Sequence, residues 1–412
     1  RLDDAGMKSS SPSGEQTESK PGDRCPQEPW VKLRSGSGHP LLYQRMIRET
    51  DPAARAGDVV RVIDKQGQYF GRGFYHDQSQ IGLRILTHED RPVDDACFRD
   101  VRSRAVSWRL QMFDGDQTTN AYRLVHAEGD ALSGLIVERY SDVIAIEVFS
   151  LGVYRRLPLF RQLLTELTGV SRFVVRADET TQRYEGFGLR EHAFGDPPAT
   201  VNVTENGLRF RVDLMQGHKT GFFCDQRDNR AKLGKLCRDA EVLDACCYTG
   251  GFGVYAAAVG GAKEVTGVDL DEDAIAMAKK NANLNNVRIN HVHADAFGYL
   301  RQMQQNRRKF DVVVLDPPKF VPTRNDYEEG GRKYVDLNTL AMTVLKPGGL
   351  LLTCSCSGLV SWEDFAGMVK AATNRLRTRM QIVDESGAGM DHPVAANCPE
   401  SGYLKAIWAR IG

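Results

Sequence analysis

From about Ala240 onward, short apolar runs alternate with helical periods: EVLDA, EVTGVDL, IAMAKKNANL, DVVVLD, a long helical stretch around Val335 to Leu345, then GLLLTCS. Such alternation specifies an α/β unit, a parallel sheet with helices on both faces. In sheets of this kind ligands bind beyond the carboxyl ends of the strands. The residues that follow each strand are therefore where chemistry is sought.

The chain has 412 residues, and at roughly 100–200 residues per domain that length holds several units. Residues 1–29 are rich in Ser, Pro, Gly and Glu, with too few large aliphatics to offset the entropy of ordering them, and read as a disordered tail. Residues 30–104 carry short strands, VVRVID, YFGRGFYH and IGLRIL, and form a β-rich module. Residues 105–195, with YRLVHAE, LIVERY, VIAIEVF and FVVRA around a helical stretch from Tyr154 to Leu167, read as a small α+β domain. In the last unit, 196–412, VNVTE and LRFRVDL flank Asn206-Gly207, the signature of a two-residue type I′ hairpin turn.

Lys plus Arg and Asp plus Glu both number 54, so no whole-chain field draws this protein to a polyanion; any such partner is met locally. A spanning helix needs about eighteen uninterrupted apolar residues, and no stretch approaches that. The nine cysteines include no Cys-x-x-Cys pair, which fits a reducing, cytoplasmic setting and suggests neither a disulfide framework nor a metal site.

The first strand of the α/β unit runs into Asp244-Ala245-Cys246-Cys247-Tyr248-Thr249-Gly250-Gly251-Phe252-Gly253. Glycines here let a ligand approach the backbone before a helix begins, but their spacing is not the G-x-G-x-x-G of a dinucleotide fold. Asp269 closes the second strand, where a carboxylate can accept both hydroxyls of a ribose. Asp295 follows the third, placed for an adenine amino group, and Asp244 faces the cationic amino acid half of the ligand. One Asp at such a place is ordinarily a helix cap. Three at successive strand ends around one glycine loop outline a pocket for S-adenosylmethionine, with Tyr248, Thr249 and Gly250 in its loop. Upstream, Phe223 is expected against the adenine and Gln226 as an anchor. The preceding Gly-His-Lys-Thr is not a phosphate loop, since His218 stands where glycine is required.

The fourth strand ends in Asp316-Pro317-Pro318-Lys319-Phe320. Consecutive prolines hold the chain extended, so Asp316 and the carbonyls around Pro317 can face a planar substrate, with Lys319 beside it. The fifth carries Thr353-Cys354-Ser355-Cys356-Ser357-Gly358. Cytosine C5 is a poor nucleophile, and methylating it requires a thiolate to add to C6 first. Strand alternation puts Cys354 and Cys356 on one face and does not choose between them; Cys356, nearer the loop, is taken as the nucleophile, with Asp316 at N3.

With these residues assembled, the chain resembles the bacterial 23S ribosomal RNA cytosine-5 methyltransferases that carry an N-terminal PUA domain. The resemblance spans roughly residues 30–412 and rests on GDVVRVID, GRGFY, LRIL, YRLVHAEGDALSGLIVERY, GHKTGFFCDQRDNR, CYTGGFG, DPPKF, TCSCSG and Asp391-His392-Pro393. It implies a PUA-like RNA-binding module, a central α+β domain and a Rossmann-like class I methyltransferase domain using S-adenosylmethionine. It also implies that Cys356 attacks the base and that the partner is RNA, with no membrane and no metal. Two other readings stand beside it: methylation of an exocyclic amino group without a covalent step, and a non-catalytic RNA-binding or ribosome assembly factor. Oligomeric state, homodimer included, is not set by the sequence.

Overall fold

The computed structural model describes residues 28–113, 115–189, 198–215 and 221–412. The expected tail over 1–29 lies outside the described residues apart from its last two, as does the segment 216–220 that contains His218.

A seven-stranded sheet organises the C-terminal half, in the order Asn290–His293, Glu264–Asp269, Glu241–Ala245, Phe310–Leu315, Leu345–Ser355, Lys405–Ile411, Met380–Ser386. The first five strands run parallel, and Lys405–Ile411 is antiparallel to both of its neighbours. A parallel sheet covered on both faces needs apolar side chains on each. Val242, Leu243, Val313, Val314, Leu351 and Leu352 supply them and are fully buried or nearly so. From Glu241–Ala245 the chain first builds outward through 264–269 and 290–293, then crosses to the other side with Phe310–Leu315. That reversal leaves a crevice above the carboxyl ends of the two adjoining strands.

Four of the five parallel strands fall on the apolar runs EVLDA, EVTGVDL, DVVVLD and GLLLTCS; the third, Asn290–His293, is short and carries no such run. The expected helix from Val335 to Leu345 begins earlier and ends sooner, at Tyr327–Thr343, and Leu345 already opens the fifth strand. The two antiparallel strands were not anticipated. Met380–Ser386 is a largely exposed edge strand without an apolar run, and Lys405–Ile411 carries a lysine inside an otherwise apolar one.

The N-terminal module is a six-stranded sheet ordered Leu41–Tyr43, Ile81–Thr87, Tyr69–Tyr75, Val59–Ile63, Trp30–Leu33, Ile47–Thr50, closed over Val31, Leu33, Leu42, Val60, Val62 and Leu83. The central domain is a four-stranded sheet, Arg172–Arg176, Val143–Val148, Leu135–Tyr140 and Ala121–His126. The boundary expected at 104/105 is corrected by the structure: it would cut one unbroken helix, Asp95–Phe113. Phe98, Ala105 and Val106 of that helix share a core with Leu124, Ile144 and Phe160 of the central domain and with Phe74 of the N-terminal module, so the helix packs where the two meet. The boundary expected at 195/196 lies outside the described residues.

The hairpin Thr200–Glu205 and Leu208–Asp213 turns at Asn206 and Gly207, both at positive φ (48° and 81°), as a type I′ turn requires. It is pinned to the catalytic domain by Arg230, whose Nε and Nη2 donate to Glu205 at 2.8 and 2.6 Å.

The Asp391-His392-Pro393 turn joins the central and catalytic domains. The buried Asp391 carboxylate accepts from Arg227 Nη2 (2.8 Å) and from the backbone N–H of Arg123 (2.9 Å), while its carbonyl accepts from Arg109 Nη2 (2.8 Å). A buried pair of this kind is costly to form, but removing one partner strands the other charge, at about 3–5 kcal/mol.

Candidate active site

Above the switch point lies a cavity of about 550 Å³. Phe223, Gln226, Tyr248, Thr249, Asp269, Asp316, Pro317, Lys319 and Cys356, all singled out from the sequence, line it. Segments separated by up to about a third of the chain thus meet because each closes or follows a strand of the same sheet.

The glycine loop takes a tight path. Cys246 and Tyr248 have positive φ (64° and 49°), as does Gly250 (82°), from which the helix Gly251–Ala258 starts. Non-glycine residues in that region need outside support. Asp269 gives it: its Oδ2 accepts from the Tyr248 backbone N–H at 2.7 Å and its Oδ1 from that of Asp271 at 2.9 Å. The acid expected at the ribose therefore also holds the loop. Tyr248 meets Phe223 edge to face, with centroids 5.0 Å apart, and together they make an aromatic wall.

Asp244 and Gly250 lie behind the cavity rather than on its lining. Asp244 is 1% exposed, accepts from the Gly253 N–H at 3.1 Å through Oδ2, and leaves Oδ1 buried without a hydrogen-bond partner. Burial, then the negative charge of Asp316, push its carboxyl up to about 8. Asp225, Asp269, Asp271 and Asp316 line the cavity against only Arg230 and Lys319, so its wall is short of positive charge.

Asp295 differs from expectation. It is exposed, off the cavity lining, and its Oδ2 caps the helix Ala296–Gln305 by accepting from the Gly298 N–H at 2.7 Å. The third strand ends at His293, so Asp295 stands in extended conformation at the N-cap of the next helix, the usual place of a capping Asp.

The two cysteines that alternation could not separate are separated by depth. Cys354 is fully buried among Leu352, Ala406 and Trp408, and desolvation pushes its thiol well above the usual range. Cys356 lies past the strand end, partly exposed, on the cavity wall. The serines on either side of it share one anchor: Ser355 Oγ is 2.9 Å and Ser357 Oγ 3.0 Å from the buried Tyr334 hydroxyl. From the other side Lys405, 2% exposed, donates through Nζ to the carbonyls of Ser357 (2.9 Å) and Tyr403 (2.8 Å), and burial lowers it to about 8.

Sequence reasoning did not single out every residue of this assembly. Arg230 and Leu270 line the cavity, while Tyr334 and Lys405 brace the cysteine loop. Leu270 directly follows Asp269 and could have been found. A lysine inside LKAIWARI was a signal for Lys405, since an ammonium in a buried strand needs acceptors. Tyr334 and Arg230 carry no local mark.

The residues fit S-adenosylmethionine: an orphaned buried carboxylate oxygen, Asp269 at the end of the second strand, an aromatic wall and an excess of negative charge suit a ligand with a ribose, an adenine and two cationic groups. Fold and site define an S-adenosylmethionine-dependent methyltransferase. A family model described as S-adenosylmethionine-dependent methyltransferase matches residues 123–384, and a PUA-like domain model matches residues 33–88. "Ribosomal RNA large subunit methyltransferase I" of Tolumonas auensis is 38% identical over 90% of this chain and 95% of its own length, and that of Aliivibrio fischeri MJ11 is 36% identical over the same shares. The chain belongs to this ribosomal RNA large subunit methyltransferase I family. The crystal structure of the methyltransferase SMU.776 complexed with SAH shares the fold, with a TM-score of 0.79 at 21% identity over 92% of this chain and 99% of that one.

Proposed function

We propose that this protein methylates C5 of a cytosine in large-subunit (23S) ribosomal RNA through a covalent adduct on Cys356. The observation that carries the reading is the division between the two thiols: Cys354 is sealed in the core, and Cys356 faces the cavity that Asp316, Lys319 and the glycine loop also line. The relatives' name supplies the RNA. The PUA-like module is read as the part that grips the RNA away from the reacting base.

Asp269, Phe223, Tyr248 and Asp244 would hold the cofactor, which supplies an electrophilic methyl group. Cys356 loses its proton and its sulfur adds to C6 of the pyrimidine, pushing electron density to C5. Asp316 hydrogen-bonds N3 as charge builds there. After C5 takes the methyl group, a base removes the C5 proton, the C6–S bond breaks and the thiolate is restored. Pro317 and its neighbours present backbone carbonyls along the edge of the ring, and Lys319 lies at the mouth of the cavity.

The test is adduct trapping with RNA containing 5-fluorocytidine, whose C5 cannot release a proton. The full chain with S-adenosylmethionine should form a denaturation-resistant RNA–protein complex, and Cys356→Ala should form none while still binding the cofactor. Methylation that survives in Cys356→Ala would establish the amino-group reading instead, and absence of cofactor binding by the wild-type chain would favour a non-catalytic assembly factor.

A further inference from the structure

Away from the cavity, one group of metal-ligating side chains among the described residues brings its donor atoms together. His39, Cys398 and Glu400 each offer one atom, all within 4.8 Å of one another. His39 precedes the Leu41–Tyr43 strand of the N-terminal module, whereas Cys398 and Glu400 sit on a turn of the catalytic domain just before its buried antiparallel strand. The sequence reading expected no metal, since the chain holds no Cys-x-x-Cys pair; ligands about 360 positions apart have no spacing to recognise.

We propose that His39, Cys398 and Glu400 bind Zn²⁺ and so clamp the PUA-like module onto the catalytic domain. Zinc bonds of about 2.0 Å to nitrogen or oxygen and about 2.3 Å to sulfur set tetrahedral ligand atoms roughly 3.3–3.7 Å apart. His39 Nε2 lies 3.2 Å from Glu400 Oε2, and Cys398 Sγ lies 3.7 Å from the same oxygen. One imidazole, one thiolate and one carboxylate also balance the charge of a divalent ion. Sulfur and nitrogen donors select zinc over magnesium or calcium, which take oxygen shells. Glu400 is half exposed, so water can reach the fourth position.

The ligands are held before any ion arrives. The turn 395–401 is closed by Cys398 N–H to Ala395 O and Ser401 N–H to Cys398 O, both 2.9 Å, and by the Ser401 hydroxyl to Cys398 O at 2.6 Å. Asn397 Nδ2 reaches across the domain boundary to Gly38 O at 2.7 Å. His39 Nδ1 lies 3.0 Å from the Leu41 nitrogen and 3.2 Å from its carbonyl oxygen. Without metal, Nδ1 accepts from that N–H and Nε2–H donates to Glu400. With metal, the imidazole proton sits on Nδ1 and is donated to Leu41 O, the usual support of a ligating histidine. The Cys398 proton passes to solvent, so binding releases one proton.

The test uses the full chain after chelator treatment. Co²⁺ at micromolar concentration should give a thiolate-to-cobalt charge-transfer band that saturates at one equivalent and is displaced by Zn²⁺. Cys398→Ser should abolish the band, Cys356→Ser should keep it, and His39→Gln should weaken binding at least tenfold. Zn²⁺ should raise the melting temperature of the wild-type chain but not that of His39→Gln, whose site is at the surface and does not depend on a core substitution. No saturable binding in the wild type, or a band and thermal shift unchanged in both site variants, would overturn the proposal and leave the group a hydrogen-bonded cluster.

Discussion

The thiol sulfur of Cys356 lies 4.0 Å from the carbonyl oxygen of Pro317, which joins the loop after the fifth parallel strand to the loop after the fourth. Cys354, two residues earlier, is fully buried and does not line the cavity. Cys354→Ala should therefore cost on the order of 1 kcal/mol of stability, as for a small buried group, while turnover per folded molecule stays near wild type. Cys356→Ala should leave the melting temperature within about a degree and reduce methylation by more than a thousandfold, a step worth about 4 kcal/mol of barrier. Radiolabelled methyl transfer and thermal melts on the same preparations check both.

Lys405 tests how the nucleophile loop is held. In Lys405→Met the Ser357 carbonyl loses its ammonium partner, and the loop that aims Cys356 relaxes. The alkylation rate of Cys356 by iodoacetamide at neutral pH should fall several-fold and methylation should fall with it, at unchanged S-adenosylmethionine affinity. A matching loss of cofactor affinity would place Lys405 in a different role.

Tyr334→Phe removes the hydroxyl shared by Ser355 and Ser357. A buried hydrogen bond contributes about 0.5–1.5 kcal/mol, and stranding a partner costs about 1–3. The expected result is a stability loss of about 1–3 kcal/mol, with kcat lowered more than the KM for RNA. Denaturant melts and steady-state kinetics separate the two effects.

Asp244 makes cofactor binding depend on pH. Its carboxyl, raised to about 8 by burial and by Asp316, is largely protonated at neutral pH in the cofactor-free protein. For a raised acid the folded state holds a proton that the unfolded state releases, so stability falls as pH rises from about 4 toward 8. A cationic ligand reverses the preference and expels the proton. S-adenosylmethionine affinity should thus rise with pH by up to about tenfold per unit below 8 and level off above it. Calorimetry in buffers of different ionisation enthalpy should show proton release in the wild type and none in Asp244→Asn.

Arg102 carries a stability prediction unrelated to catalysis. It is fully buried in the helix Asp95–Phe113; none of its three guanidinium nitrogens has a hydrogen-bond partner, and its main support is the Phe160 ring, 4.3 Å away. Burial lowers it to about 9. Replacing buried charge with an apolar side chain of similar volume is often stabilising by about 1–4 kcal/mol. Arg102→Met should raise the melting temperature at neutral pH.

Much of this was legible in the sequence because the evidence there is local. Asp269, Asp316 and Cys356 each follow an apolar run of strand length, and parallel topology brings such positions to one rim. Asn206-Gly207 announced its turn because only a few residues accept two positive φ angles. What failed was long-range or ambiguous. Asp295 caps the helix Ala296–Gln305 from a point beyond the early end of its strand, a placement that the apolar run did not mark. The helix Asp95–Phe113 hides its domain allegiance, since periodicity does not say which core a buried face meets. Tyr334 acts through tertiary contacts that leave no spacing behind, whereas Lys405 is marked only by its place in an apolar strand.

The strand Lys405–Ile411 is paired along both edges, between Leu345–Ser355 and Met380–Ser386. The cavity takes part of its lining from Cys356 and Leu404, and the brace behind the nucleophile comes from Lys405, so the site is complete only once this late segment is in place. A chain cut before residue 405 loses both that brace and the strand that seals the sheet between its neighbours, so the last strand is as much a part of the site as the loops that line it.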